Sequence, residues 1–313
     1  MIFLWIALGA LALWVTFIYA PSFVMYRMIF SRRPITSPDE ESLSETPLAP
    51  HTAEIMRDMA YLETLSPETV TVTAGDGTPL GGRYFRRGGG KSVIFFHGYN
   101  THPMKNFAVH ARLFIEHGYD ALVVFERGHG ESGGAHNGMG LLERGDVPAW
   151  IEKARELSPG CRIVLYGMSM GAFAVAMASG SLDPADACCA VIDCGFSSPY
   201  KQLAHDAAMR RLPTLLLMPL ISLHARSFMH IDLRETAGDA LSRSKIPSLF
   251  LHGDADTTVP IADGVANCEA CAAEKEFIAV AGAAHTAALP DGGGELMKKV
   301  IDFADAHADA ENK

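Results

Sequence analysis

The chain has no surplus of positive charge: 26 Lys and Arg stand against 36 Asp and Glu, a formal net charge of −10. Phosphate backbones are bound by basic surface, so this acidic balance argues against nucleic acid as the main partner. No cysteine precedes Cys161, which excludes lipid attachment to an N-terminal cysteine. Cys268-Glu269-Ala270-Cys271 has no second C-x-x-C pair to complete a zinc site, and it lies on a predicted helix rather than opening one after a first strand, as a thioredoxin-like motif would. Cys161, Cys188 and Cys189 fall in apolar strands and read as small buried hydrophobes. Six of the 13 histidines, His97, His102, His110, His117, His129 and His136, are dense in one region, yet none forms H-E-x-x-H. No metal or organic cofactor is expected, and no internal repeat is present.

Charge is also missing from one long stretch. Ile2 to Ala20 carries no charged side chain, and the apolar character continues to Tyr26. At about 1.5 Å per residue this spans a bilayer core of roughly 30 Å. Trp5, Trp14 and Tyr19 suit the interfaces. A cleaved signal peptide is disfavoured: no Lys or Arg precedes the run, Ile18-Tyr19-Ala20 has no small residue at the −3 position, and Pro21 would follow the cut. Arg27, Arg32 and Arg33 follow the run, and the positive-inside rule then puts the rest of the chain in the cytoplasm. The expected organisation is a transmembrane anchor over 1–26, an extended Pro/Ser/Thr/Glu-rich linker over 27–50, and a catalytic domain over 51–313. Ala74-Gly75-Asp76-Gly77-Thr78 reads as the turn of a first hairpin.

The chemistry begins at Gly167-Met168-Ser169-Met170-Gly171. A predicted buried strand, Cys161–Tyr166, precedes this G-x-S-x-G, and an Ala-rich helix from Ala172 follows. A serine on a sharp strand-to-helix turn has its hydroxyl pushed above the sheet, the arrangement called a nucleophile elbow. Glycines on either side allow the tight turn and the close approach of strand and helix. A serine nucleophile needs a base and a group to orient it, in the chain order nucleophile, acid, histidine. The strand Ser248–Leu251 runs into a loop with two aspartates, Asp254 and Asp256. The strand Phe277–Val280 leads to His285. Both loops would open at the carboxyl edge of a parallel sheet, beside Ser169. One oxyanion donor would be the main-chain N–H of Met170, the residue after the nucleophile.

Two further blocks follow strands: His97-Gly98-Tyr99-Asn100 after Ser92–Phe96, and Phe125-Glu126-Arg127-Gly128-His129-Gly130-Glu131-Ser132. Together with the elbow and the two later loops, they make the chain from about Thr69 to Phe303 resemble the α/β-hydrolase superfamily, the group that includes serine esterases, monoacylglycerol lipases and aminopeptidase-like hydrolases. Asp193-Cys194-Gly195-Phe196-Ser197-Ser198-Pro199 and Gly282-Ala283-Ala284-His285 further resemble a bacterial membrane-anchored subgroup. The resemblance implies an α/β fold with a mostly parallel central sheet, helices on both faces and a helical lid insertion. Through the pattern H-G-x-x-D-x-x-V-P it implies Asp256, not Asp254, as the triad acid. It implies the Tyr99 N–H as second oxyanion donor and a structural role for His97. Phe125 stands where the superfamily's D-x-R-G-x-G-x-S turn has Asp. Ser169 speaks against the dehalogenases and epoxide hydrolases, which carry Asp at the elbow, and against the dienelactone hydrolases, which carry Cys.

About 50 residues separate the strand ending at Asp193 from the one starting at Ser248, so a lid is expected over about 196–245. Its run Leu212–Ile221 is strongly apolar and proline-interrupted, with Arg210, Arg211 and Arg226 around it. It reads equally as an apolar cover for an acyl group or as a helix packed on the core. The expected function is a membrane-anchored serine hydrolase that cleaves a small-molecule ester of an apolar acyl group through Ser169, His285 and Asp256. The alternatives are a peptidase or amidase, which needs an acid such as Glu126, Glu131 or Asp206 in the pocket to hold an amine, and a non-catalytic binding scaffold.

Overall fold

The computed structural model describes residues 1–309, so the last four residues of the expected domain lie outside it. Eight strands form one sheet in the order β1-β2-β4-β3-β5-β6-β7-β8. They are β1 (Glu68–Thr73), β2 (Pro79–Phe85), β3 (Lys91–Phe96), β4 (Asp120–Val124), β5 (Arg162–Met168), β6 (Cys189–Asp193), β7 (Ser248–Gly253) and β8 (Lys275–Val280). β2 is antiparallel to β1 and to β4; every other pairing is parallel. The β1–β2 turn closes through Ala74 N–H to the Thr78 carbonyl (2.8 Å) and Thr78 N–H to Asp76 Oδ1 (3.0 Å). This is the expected α/β-hydrolase fold.

A parallel sheet is covered on both faces, so its strands read as continuous apolar runs. In β3 the side-chain period of two sends Val93 and Phe95 to one core, with Phe107, Phe114 and Val300. Ile94 and Phe96 go to the other, with Trp150, Val175 and Leu165. Helices Thr52–Thr64, Pro103–Glu116 and Ala288–Ala308 contribute to the first core, and Val147–Leu157 and Met170–Ser179 to the second. The chain reverses direction across the sheet at β3, which lies between β4 and β5. Such a switch point opens a crevice beyond the carboxyl ends of the strands.

Two regions differ from a plain anchor-and-linker reading. A single apolar helical run of 29 residues extends from Ile2 to Phe30 and includes an 18-residue stretch of mean hydropathy 2.2. Its first part has no buried residue, but Ser22, Tyr26 and Phe30 are buried. Those three residues recur every fourth position, so one stripe of the last turns faces the protein. The stripe packs on the lid helix Thr214–Met229, where Tyr26 meets His224 and Phe228, and Ser22 Oγ lies 3.1 Å from His224 Nε2. Residues 27–50 are not a simple extended tether. They finish this helix, form a capped turn of helix at Glu40–Ser44 and bury Leu43 and Leu48 against the first core. Apolar residues spaced along a polar segment give it a surface to hold.

The insertion between β6 and β7 holds three helices, Pro199–Met209, Thr214–Met229 and Ala237–Leu241. The second contains Pro219 and buries Leu217, Met218, Ile221 and Ala225. The expected lid is therefore packed on the N-terminal helix and the body rather than free. Leu215, Leu216, Leu223 and Phe228 on the same helix remain exposed.

Candidate active site

Ser169 follows β5 with φ 54° and ψ −111°, a conformation that costs a non-glycine residue energy and needs the surrounding structure to hold it. Its own N–H donates to the Asp193 carbonyl (2.8 Å), tying the turn to β6. The flanking glycines are required by space. A Cβ on Gly167 would lie 2.4 Å from the Gly171 carbonyl oxygen, and one on Gly171 would lie 2.0 Å from the Phe96 carbonyl oxygen. The helix therefore starts directly against β3, and the serine hydroxyl stands at the sheet's carboxyl edge.

His285, on the loop after β8, brings Nε2 to 3.0 Å from Ser169 Oγ. Its Nδ1 lies 2.6 Å from Asp256 Oδ2. The other carboxylate oxygen, Oδ1, accepts the N–H groups of Thr258 and Val259, each at 2.8 Å. Burial alone would raise the Asp256 pKa, but hydrogen bonds from His252 and His285 and from the main chain hold it well below the usual carboxylate range. An ionised Asp256 only accepts, so Nδ1 of His285 carries the proton and Nε2 presents a lone pair to the serine. Asp254, the rival acid, is exposed and takes the Gly282 N–H on Oδ1 (2.7 Å).

The loop after β3 is braced from below. His97 is fully buried; its Nδ1–H donates to the Gly98 carbonyl (2.7 Å) and its Nε2 accepts the Glu126 N–H (3.1 Å). Asn106 Oδ1 accepts the Gly98 N–H (2.9 Å). His129 Nε2 accepts the Asn100 N–H (3.1 Å). Among the described residues, the intervening Tyr99 N–H and the Met170 N–H donate to no protein group. Met170 is the first residue of its helix, where an N–H has no intrahelical acceptor. The 125–132 turn is structural in the same sense: Arg127 forms a two-pronged ion pair with Asp146 at 2.7 and 2.5 Å, and Ser132 Oγ donates to the Phe125 carbonyl.

Ser169 and His285 line a cavity of about 260 Å³ whose other walls include Tyr99, Met139, Phe196, Gln202 and Asp206. Of the three acids weighed as an amine subsite, Asp206 faces this cavity. Glu126 is buried and does not line it, and Glu131 pairs with Arg83. One acid and one histidine beneath the candidate triad, Asp193 and His252, were not singled out from sequence. Burial pushes Asp193 up to about 6, against the pull of His252. His252 Nε2 donates to the Val259 carbonyl (2.9 Å) and lies 3.5 Å from Asp256 Oδ2. Burial alone would lower the His252 pKa, but Asp256 and the Val259 carbonyl outweigh it and raise it. The signal was available, since β7 ends in the same His-Gly pair that directly follows β3.

The family model described as serine aminopeptidase, S33, matches residues 90–245, a range containing the Ser169 turn, the loop after β3 and the lid insertion. The chain belongs to the α/β-hydrolase superfamily. This hydrolase superposes on an esterase of Pyrococcus furiosus, Pf2001, with a TM-score of 0.66 at 20% identity, covering 89% of this chain and 97% of that one. It superposes on Est1E of Butyrivibrio proteoclasticus, solved with ferulic acid bound, with a TM-score of 0.59 at 17% identity, covering 77% and 100%. The acylaminoacyl peptidase of Pyrococcus horikoshii gives a TM-score of 0.58 at 17% identity, over 79% of this chain but 42% of that one. At these identities the likeness is one of fold. Among curated proteins, the hydrolase is 26% identical to the uncharacterized protein YqkD of Bacillus subtilis over 173 residues, 54% of this chain and 56% of that protein's length.

Proposed function

We propose that this hydrolase is a membrane-anchored serine esterase acting on carboxylic esters with an apolar acyl group. The observation that carries the reading is the relay from Asp256 through His285 to Ser169, at 2.6 and 3.0 Å, on a serine held at positive φ. Ser169 Oγ attacks the ester carbonyl while His285 Nε2 takes its proton. The Tyr99 and Met170 N–H groups receive the oxyanion. His285 then protonates the departing alcohol, and water, activated by the same imidazole, releases the acid. The chemistry asks for no metal or organic cofactor.

The anchor is supported by the length and hydropathy of Ile2–Phe30 and by the bare surface of its first half. The positive residues Arg27, Arg32 and Arg33 favour a cytoplasmic body. A second reading, an amide or peptide hydrolase, is favoured by one observation: the Asp206 carboxylate in the cavity wall could hold a free amine.

The test is hydrolysis of a p-nitrophenyl ester series by the full-length protein in detergent micelles, alongside aminoacyl p-nitroanilides, with Ser169→Ala as the control. Ester turnover that vanishes in the variant is expected. Ser169-dependent turnover of the anilides alone moves the assignment to the peptidase, and turnover retained by Ser169→Ala overturns both.

A further inference from the structure

Beside the cavity at Ser169 lies a second one of about 550 Å³. Tyr99, Met139 and Asp206 face both, so the two adjoin across these side chains. The floor and far wall of the larger chamber come from the lid region, through Leu203, Ala207, Met218 and Ile221. The remaining wall is the N-terminal helix, through Met25, Met28 and Ile29. Arg33, Arg210 and Asp206 also reach its lining, but most of its surface is carbon, and chambers of this size and character take apolar ligand groups.

The helical wall is fixed to the catalytic centre. Tyr99, whose main-chain N–H is the proposed oxyanion donor, sends its hydroxyl to the Ile29 carbonyl at 2.7 Å. Asn137 Nδ2 donates to the same carbonyl (3.1 Å), and the Asn137 N–H donates to that of Phe30 (2.9 Å). Carbonyls at a helix end have no intrahelical donor, so these side chains cap the helix with groups from the catalytic body. At the other end of the contact Ser22 meets His224 of the lid. At the rim of the chamber stands Met28, and beyond it Val24 of the N-terminal helix and Leu216 and Phe228 of the lid helix; all four are more than half exposed. An apolar rim of this kind, continuous with a membrane-length helix, is where a bilayer surface would meet the protein.

We propose that the N-terminal helix is a wall of the acyl-chain site, and that a long-chain ester enters sideways from the lipid leaflet, between that helix and the lid. The inference rests on the ester-hydrolase reading and adds the source and shape of its substrate. The acyl chain lies along Met25, Met28 and Met218 while the carbonyl reaches Ser169 past Tyr99 and Met139. The anchor therefore does two jobs: it holds the enzyme at the membrane and completes its binding site.

Two measurements on the full-length protein test this. The first is the ratio of kcat/KM for p-nitrophenyl dodecanoate to that for the butyrate. Met25→Trp, which fills the chamber from the helix side, lowers this ratio by about tenfold or more. Leu8→Trp, an exposed position higher on the same helix, leaves it unchanged. An unaltered ratio in Met25→Trp overturns the proposal while leaving the esterase intact. The second readout needs no turnover. Irradiation with a diazirine-bearing hexadecanoic acid is expected to label Met139 and Leu203, which are shielded from solvent and detergent, and Met25→Trp is expected to abolish the label. Absence of label at both residues overturns the proposal even if no ester is hydrolysed.

Discussion

Asp256→Asn separates orientation from mere presence of the third triad member. Asp256 Oδ1 accepts two main-chain N–H groups at 2.8 Å, and Oδ2 faces His285 Nδ1 at 2.6 Å. An asparagine can satisfy the two N–H groups only with its carbonyl oxygen. Its amide NH2 must then point at His285 and donate to Nδ1. The imidazole proton moves to Nε2, which faces Ser169 as a donor and cannot accept its proton. The flipped amide is no escape, because it sets an NH2 against two N–H donors and leaves buried groups unpaired. Loss of the base in an otherwise preserved site is expected to lower kcat by about 10⁴-fold, roughly 5 kcal/mol of transition-state stabilisation. The assay is steady-state hydrolysis of a p-nitrophenyl ester by full-length protein, with thermal unfolding followed in parallel. Asp254→Asn is the control: the exposed residue accepts one N–H from Gly282, which an asparagine oxygen can also accept. Asp256→Asn within about tenfold of wild type, at unchanged Tm, would refute the tautomer argument.

Other outcomes follow from burial and space. Both Glu126 oxygens are buried without partners among the described residues, and its pKa is raised well above 4.5 by burial and then by Glu143 and Asp146. Between the unfolded and folded values the native chain holds a proton that the unfolded chain has released, so this group's contribution to stability falls as pH rises. Glutamine has no such proton, so the Tm of Glu126→Gln minus that of wild type should grow from about pH 5 to about pH 8; a constant difference by calorimetry would count against a neutral buried Glu126. Gly171→Ala places a methyl 2.0 Å from the Phe96 carbonyl oxygen and should cost about 4 kcal/mol or more, seen as collapse of the folded fraction in circular dichroism. Protease added to intact spheroplasts should spare the catalytic body; digestion from outside would reverse the proposed orientation.

The candidate site was legible because it is local. Ser169, Asp256 and His285 each sit on a loop directly after an apolar strand, so order and strand edges suffice to bring them together. The same holds for the hairpin at Ala74–Thr78, where turn residues carry their own geometry. Legibility ended where partners are distant in sequence. Nothing near Tyr26 announces His224, about two hundred residues away, and nothing near Tyr99 announces the Ile29 carbonyl. Hydropathy marked Ile2–Tyr26 as a span, but an apolar helix looks the same whether a side faces lipid or protein. Polar composition suggested an extended 27–50, while two well-placed leucines, Leu43 and Leu48, were enough to hold it on the body. His252 lay in plain view in the motif and gained its meaning only from the 3.5 Å separation to Asp256.

The capped end of the N-terminal helix sets the working height of the enzyme. With the first nineteen or so residues in the bilayer, as proposed, the stretch from Ala20 to Phe30 rises about 16 Å. Because Tyr99 and Asn137 grip that end, the reactive serine cannot swing outward on a tether to sample the aqueous phase. For the proposed membrane-anchored esterase, the quantity that governs turnover is then the number of ester molecules per unit area of leaflet. Diluting the ester with inert phospholipid should slow the enzyme at fixed bulk concentration, whereas adding more vesicles of the same composition should not.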